Sequence, residues 1–164
     1  APDADTVCGL GNRKNDAFRA VLADEGVAPY PGSVAFLDAL AARGGVEVAV
    51  VSSSTNARPV LEAAGIIDRF DVIVDGVVAA EHGIAGKPAP DTYLYAAELL
   101  GVPAARAVVV EDAHSGVAAG RAGHFGHVLG VDRGAGRDAL LASGADTVVN
   151  DLGELVDDLK EGQR

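Results

Sequence analysis

Glu111 and Asp112 stand side by side at the end of the apolar run "AVVV" (107–110), and the small-residue run "SGVAAGRAG" (115–123) follows close behind. Two carboxylates at the edge of a buried strand are costly unless a cation pairs with them. A metal ion, a lysine, or a phosphate held through that metal would serve. Carboxylate oxygens suit Mg²⁺, which takes only one or two of them and fills its other positions with water and phosphate. Strand alternation turns the two side chains to opposite sides, so that one aims at a site and the other braces it. A helix-capping role for Asp112 fits the same position. His114 reads as a capping or solvent-edge residue, because a metal site built on it would want a second His or Cys at helical spacing.

Two further clusters fall at the ends of other elements. Ser52, Ser53, Ser54, Thr55 and Asn56 follow "VEVAVV" (46–51) at the mouth of a helix, where hydroxyls and free backbone N–H groups make an anion site. Simple N-capping by Ser or Thr explains the same run. Pro59 suits the first helical turn, where its missing N–H removes no helical bond. Lys87 lies in "GKPAPD" (86–91), whose prolines at 88 and 90 limit the backbone and deliver the lysine from a stiff loop. An ordinary surface lysine before a helix is the other reading.

The elements that must position these groups are visible from about residue 46. Runs 46–54, 70–76, 107–113, 127–132 and 146–151 are Val-rich and apolar without alternation, as strands of a parallel sheet covered on both faces are. Between them 55–65, 90–101, 115–123 and 136–144 read as helices, each closed by glycine. The pattern is α/β, a doubly wound parallel sheet, in which ligands gather at the carboxyl ends of strands. Upstream, 12–26 and 32–44 read as two helices with no strand between them, the first striped by Phe18, Val21 and Leu22 and the second by Val34, Leu37 and Leu40. A short acidic helix ends the sequence. Gly116, Ala119, Gly120 and Gly123 predict a small-residue face that packs close to the sheet.

Composition narrows the function. The 164 residues suffice for one domain with a real core. A net charge of −11 argues against nucleic acid or an anionic membrane surface as partner, while leaving room for a phosphorylated ligand held by local cations. No run approaches the roughly 18 apolar residues of a membrane span. The first ten residues have no signal-peptide pattern, and the single cysteine, Cys8, allows no intrachain disulfide, so the cytoplasm is the expected compartment.

Hydroxyl at one strand end, lysine before proline, then an acidic pair followed by small residues: in this order the sequence resembles the haloacid dehalogenase-like phosphohydrolases, and among them the β-phosphoglucomutase-like subgroup. "NRKNDAF", "YPGSVAFLDAL", "VAVVSSSTNARPVLEAAGI", "GKPAPDTYLYAAELLGV" and "EDAHSGVAAGRAG" carry the resemblance, which spans almost the whole chain. It implies that Ser52 binds a transferring phosphoryl group, that Lys87 neutralises it, and that Asp112 holds Mg²⁺ with Glu111 in support. Ser53, Ser54 and Asn56 would meet the other end of a small phosphorylated substrate, a sugar phosphate by resemblance to the mutase-like subgroup. Arg13 and Lys14 would lie on the substrate face of a cap, although a solvated helix face accounts for them equally.

In one respect the sequence departs from the family. Its members open on a strand ending in Asp-x-Asp-Gly-Thr, which supplies the nucleophile and the general acid/base and lies between the strands that end here at Ser52 and Glu111. "DADTV" (3–7) satisfies a loose form of that motif, but only two residues precede Asp3, too few for a buried strand. The expectation is therefore a core over 31–164 missing its first strand, with a partial helical cap over 1–30. Two inner strands would then expose unpaired backbone groups. An N-terminal segment or a second chain would complete the sheet, and the chain alone would turn over negligibly. A truncated paralogue that only binds Mg²⁺ or phosphate, or serves as a complementing subunit, is the non-enzymatic alternative. A phospho-receiver domain would place its acids first and its lysine last, opposite to the order here.

Overall fold

The computed structural model describes residues 26–161. Helix α1 (Pro31–Arg43) comes first, with Pro31 at its opening position, where the missing N–H costs nothing. Five strands follow: β1 (Ala49–Val51), β2 (Val72–Val74), β3 (Val108–Glu111), β4 (His127–Val131) and β5 (Thr147–Val149). Between them lie α2 (Ala57–Ala63), α3 (Gly76–Glu81), α4 (Asp91–Leu99), α5 (His114–Ala122) and α6 (Arg137–Ala142), and α7 (Val156–Glu161) is the last element of the described residues. All five strand regions read from the sequence are present, each shorter than its apolar run. The first predicted helix, over 12–26, lies outside the described residues apart from Gly26, as do Arg13, Lys14, Asp3 and Cys8.

Every strand pairing is parallel, as strands joined by helical crossovers must be. The pairings form two groups. β1 lies beside β2 in the register Ala49 to Val72 through Val51 to Val74. β4 lies between β3 and β5, with Val108 opposite His127 and Leu129 opposite Thr147. Among the described residues β1 and β3 are not paired with each other.

The core follows this division. Val109, Val128 and Val148 pack on one face of the three-stranded sheet with Val117 and Ala119 of α5, Leu140 of α6 and Tyr93 of α4. Leu129, Val131 and Val149 point to the other face, against Leu152, Leu155 and Phe36 of α1. Successive residues of β4 thus enter opposite layers, as the two-residue strand period requires. That second cover thins over β3, where Val108 is 59% exposed and Val110 40%. Val34, Leu37 and Leu40 of α1 are half-buried, and Phe36 is the α1 residue that reaches the core.

Local polar contacts explain where elements end. β1 stops at Val51 because Ser52 Oγ accepts from Ser54 N at 3.1 Å and Ser54 Oγ from Asn56 N at 3.1 Å, which curls the chain into α2. Helix α3 has no counterpart in the sequence reading, yet Asp75 had the right type for its N-cap. Its carboxylate is 2% exposed and accepts from Val77 N and Val78 N, both at 3.0 Å. Gly65 and Gly101 follow α2 and α4 at φ of +66° and +68°, a conformation glycine adopts without a Cβ clash. The acidic tail opens as a 3₁₀ turn, Leu152–Leu155, under an Asp151/Glu154 capping box.

Candidate active site

Two strand carboxyl ends and one loop meet at one edge of the fold: the Ser52 turn after β1, the acidic pair at the end of β3, and the Lys87 loop before α4. The Lys87 ammonium donates to Glu111 Oε2 at 2.6 Å and to the carbonyl oxygen of Val51, the last residue of β1, at 3.3 Å. One side chain therefore ties the end of β1 to the end of β3. Both members of the pair are about nine-tenths buried, at 11% side-chain exposure each. The Lys87–Pro88 peptide bond is cis.

Glu111 is fully subscribed. Oε2 also accepts the Tyr93 hydroxyl at 2.5 Å, while Oε1 accepts Asp112 N at 3.2 Å and Ala113 N at 3.1 Å. A carboxylate has about four acceptor positions, so these donors leave Glu111 little capacity to ligate a metal. Burial pushes its pKa up, but the bonds from Lys87 and Tyr93 outweigh that and hold it below the usual value. Gly116, in the first turn of α5, makes the space: a Cβ there would lie 2.1 Å from Glu111 Cδ.

Asp112 differs. Its residue is exposed, and its pKa is raised, first by partial burial of the carboxyl and then by the neighbouring Glu111. An acid disfavoured in its charged form by an adjacent carboxylate is a fitting place for a cation. Among the described residues no three His, Cys, Asp or Glu side chains gather as a metal cluster. A Mg²⁺ here would rest on Asp112 and on ligands from elsewhere. The charge of Arg133, beyond β4, acts in the opposite direction on Asp112, after a backbone hydrogen bond. Its guanidinium stacks 3.4 Å over the Tyr30 ring and donates to Ser33 Oγ at 3.0 Å.

Ser52 is half-buried at the end of β1, with its amide donating to Val74 O at 2.9 Å. Because its Oγ acts as acceptor toward Ser54 N, the hydroxyl proton stays available to a ligand. Ser53 and Ser54 are exposed around the same turn, and Asn56 is 7% exposed at the start of α2. His114 opens α5, exposed, with Nδ1 3.1 Å from Ser143 Oγ. Tyr93 was not singled out by sequence; its signal is slight, a tyrosine among the apolar positions of α4 six residues after the lysine. Gly116 and Gly120 both pack close to the sheet, as the small-residue run predicts: Gly120 meets Val109 and Val128, and Gly116 meets Glu111, the last residue of β3.

With this geometry in view, the family is decided by comparison. A haloacid dehalogenase-like hydrolase family model matches residues 3–124. The chain belongs to that family. A β-phosphoglucomutase of Mycobacterium tuberculosis is 55% identical over 158 residues, covering 93% of this chain and 59% of that protein. The fructose-1-phosphate phosphatase YqaB of Escherichia coli is 38% identical over 113 residues, 69% of this chain and 57% of that one. Among solved structures, a HAD family hydrolase from Deinococcus radiodurans with bound phosphate and sodium superposes with a TM-score of 0.75 at 33% identity, covering 94% of this chain and 66% of that one. The chain thus spans about three fifths of the length of these curated relatives. No helix among the described residues is long and apolar enough to cross a membrane.

Proposed function

We propose that this chain carries most of the site of a Mg²⁺-dependent phosphoryl-transfer enzyme acting on a small sugar phosphate. The observation that supports it best is the Lys87 ammonium held between the end of β1 and Glu111, with Ser52 and Asp112 beside it. In this reading Lys87 and the Ser52 hydroxyl face the transferring phosphoryl group and offset its charge. Ser53, Ser54 and Asn56 line the approach to the sugar or second phosphate, with Arg13 and Lys14 on the cap side. Asp112 holds Mg²⁺, and Glu111 keeps Lys87 and the 112–113 backbone in place. Bound Mg²⁺ would add positive charge against the phosphoryl oxygens.

The nucleophile in this proposal is an aspartate on a strand seated between β1 and β3. Support comes from the separation of those two strands and from the exposure of Val108 and Val110 on β3. The aspartate oxygen attacks phosphorus in line and the P–O bond to the sugar breaks, while the second aspartate of the same Asp-x-Asp strand gives its proton to the leaving oxygen, yielding an aspartyl-phosphate and the sugar hydroxyl. Transfer to water makes a phosphatase, and return to another hydroxyl of the bound sugar makes a mutase. Exclusion of water by a cap separates the two outcomes. The relatives bear both kinds of name.

The test is phosphate release and isomer formation from β-glucose 1-phosphate with Mg²⁺. The 164-residue chain is expected to be inactive, and activity is expected to return when an N-terminal segment bearing Asp-x-Asp is supplied. Turnover by the chain alone that Asp3→Asn abolishes would instead make Asp3 the nucleophile. Failure to recover activity, with tight Mg²⁺ or phosphate binding retained, would favour a non-catalytic binding subunit.

A further inference from the structure

We infer that Tyr93 is a positioning residue for the Lys87–Glu111 pair, acting through its hydroxyl rather than through its bulk. Glu111 Oε2 receives two donors, the Lys87 ammonium at 2.6 Å and the Tyr93 hydroxyl at 2.5 Å. Oε1 is held by the amides of Asp112 and Ala113. The carboxylate is therefore pinned on three sides, by the strand end, by the loop lysine and by helix α4. Remove the hydroxyl and α4 loses its hold on the carboxylate.

The tyrosine touches the lysine through a different part of itself. Its ring lies under the Lys87 ammonium, 4.7 Å from centroid to Nζ, and meets Phe125 edge-on with centroids 5.9 Å apart. A cation over an aromatic face gains whether or not the ring bears a hydroxyl. Packing and cation–π attraction thus survive Tyr93→Phe, and only the bond to Glu111 is lost. If bulk were all that mattered, the phenylalanine variant would match the wild type. If the hydroxyl positions the pair, Lys87 becomes mobile although the fold is intact.

The ammonium itself can report this. The chain has three lysines, Lys14, Lys87 and Lys160, so side-chain ammonium signals of the ¹⁵N-labelled protein are few, and Lys87→Arg assigns the relevant one. In the wild type Lys87 is expected to give a resolved, slowly exchanging signal near neutral pH. In Tyr93→Phe its proton exchange is expected to quicken about tenfold or the signal to vanish. An unchanged Lys87 signal would overturn the inference. Should Tyr93→Phe not fold, 4-fluorophenylalanine at position 93 makes the same test, being close in size to tyrosine without the donor proton. The inference rests on the proposed phosphate site, so calorimetric titration with inorganic phosphate in the presence of Mg²⁺ forms a second arm. Binding about tenfold weaker in Tyr93→Phe is expected, a usual loss on removing a supporting partner. If the Lys87 signal responds but the wild type binds no phosphate, positioning stands and the phosphate reading fails. If phosphate binds equally to both proteins, the hydroxyl does not serve the site and the inference fails.

Discussion

The two strand groups are held together by different physics. β3, β4 and β5 share one face sealed by side chains such as Val117, Leu140 and Val128, exposed by 0%, 0% and 1%, and β4 and β5 are covered on the other face as well. β1 and β2 have three residues each, and all three of β1 are only half-buried. Two strands alone are marginal in water. What fixes β1 is helix α4 together with a polar pin, the Lys87 bond to Val51 and Glu111. The candidate site lies beside the less buried of the two strand groups, and the better-packed sheet supplies the anchor, Glu111.

Substitutions should separate these two kinds of support. Leu140→Ala, a cavity among fully buried neighbours, is expected to have the largest effect, about 3–4 kcal/mol on global stability by denaturant melts. Amide exchange should rise in both strand groups, because the anchor sheet itself is weakened. Gly116→Ala should follow at about 2–3 kcal/mol. Its Cβ would overlap the Glu111 carboxylate, and four hydrogen bonds keep that side chain from stepping aside. The sign is diagnostic, since alanine for glycine within a helix otherwise stabilises by roughly 0.5–1 kcal/mol. A gain from Gly116→Ala would mean that Glu111 is not held as described.

Lys87→Met is expected to cost somewhat less, about 2 kcal/mol, by leaving the Glu111 charge buried with fewer donors. Its exchange pattern should be local, with amides of 49–51 and 72–74 opening while those of 128–131 stay protected. The loss should also depend on pH. Glu111 has a folded-state pKa below its unfolded value, so its pairing stabilises the fold above the ordinary carboxylate range, near pH 4, and is lost as pH falls through the lowered value. The stability difference between wild type and Lys87→Met should therefore shrink on acidification below about pH 4. A constant difference would detach the lysine from the carboxylate.

These contrasts also explain what a sequence can reveal. Unbroken valine runs disclose the five strands because strands of a parallel sheet joined by helical crossovers are apolar throughout, and glycines at 65, 101 and 144 mark helix ends through backbone geometry alone. Ser52 and Glu111 are legible because a polar group at the end of an apolar strand is conspicuous against its surroundings, and Lys87 because prolines at 88 and 90 stiffen its loop. The roles of Tyr93 and Gly116 were hidden for the opposite reason. A tyrosine inside an apolar helix face and a glycine in a small-residue run look like packing, and only the third dimension shows that both close around one carboxylate. Helix α3 went unread because its single turn and a half is set by Asp75 bonding two amides, a local contact with little periodicity to announce it.

The smallest effect is the one that most directly separates stability from function. Asp112 has a raised pKa, so its charged form is disfavoured in the fold and metal-free stability should improve as pH falls through that raised value. Asp112→Asn removes the disfavoured charge at neutral pH. Because the group is exposed and screened, its melting temperature should rise by at most about one or two degrees in EDTA. In Mg²⁺ the order should reverse. At ten times its dissociation constant a metal bound only to the folded state stabilises it by about 1.4 kcal/mol, and Asp112→Asn should forfeit that gain. Glu111→Gln would sharpen the comparison, losing stability in EDTA because the carboxylate braces the pin. Asp112 would then be an acid tolerated at a cost for the sake of a cation, beside one that the fold itself requires. Equal Mg²⁺ responses in wild type and Asp112→Asn would remove Asp112 from the metal site and return it to the ordinary role of a residue at the mouth of α5.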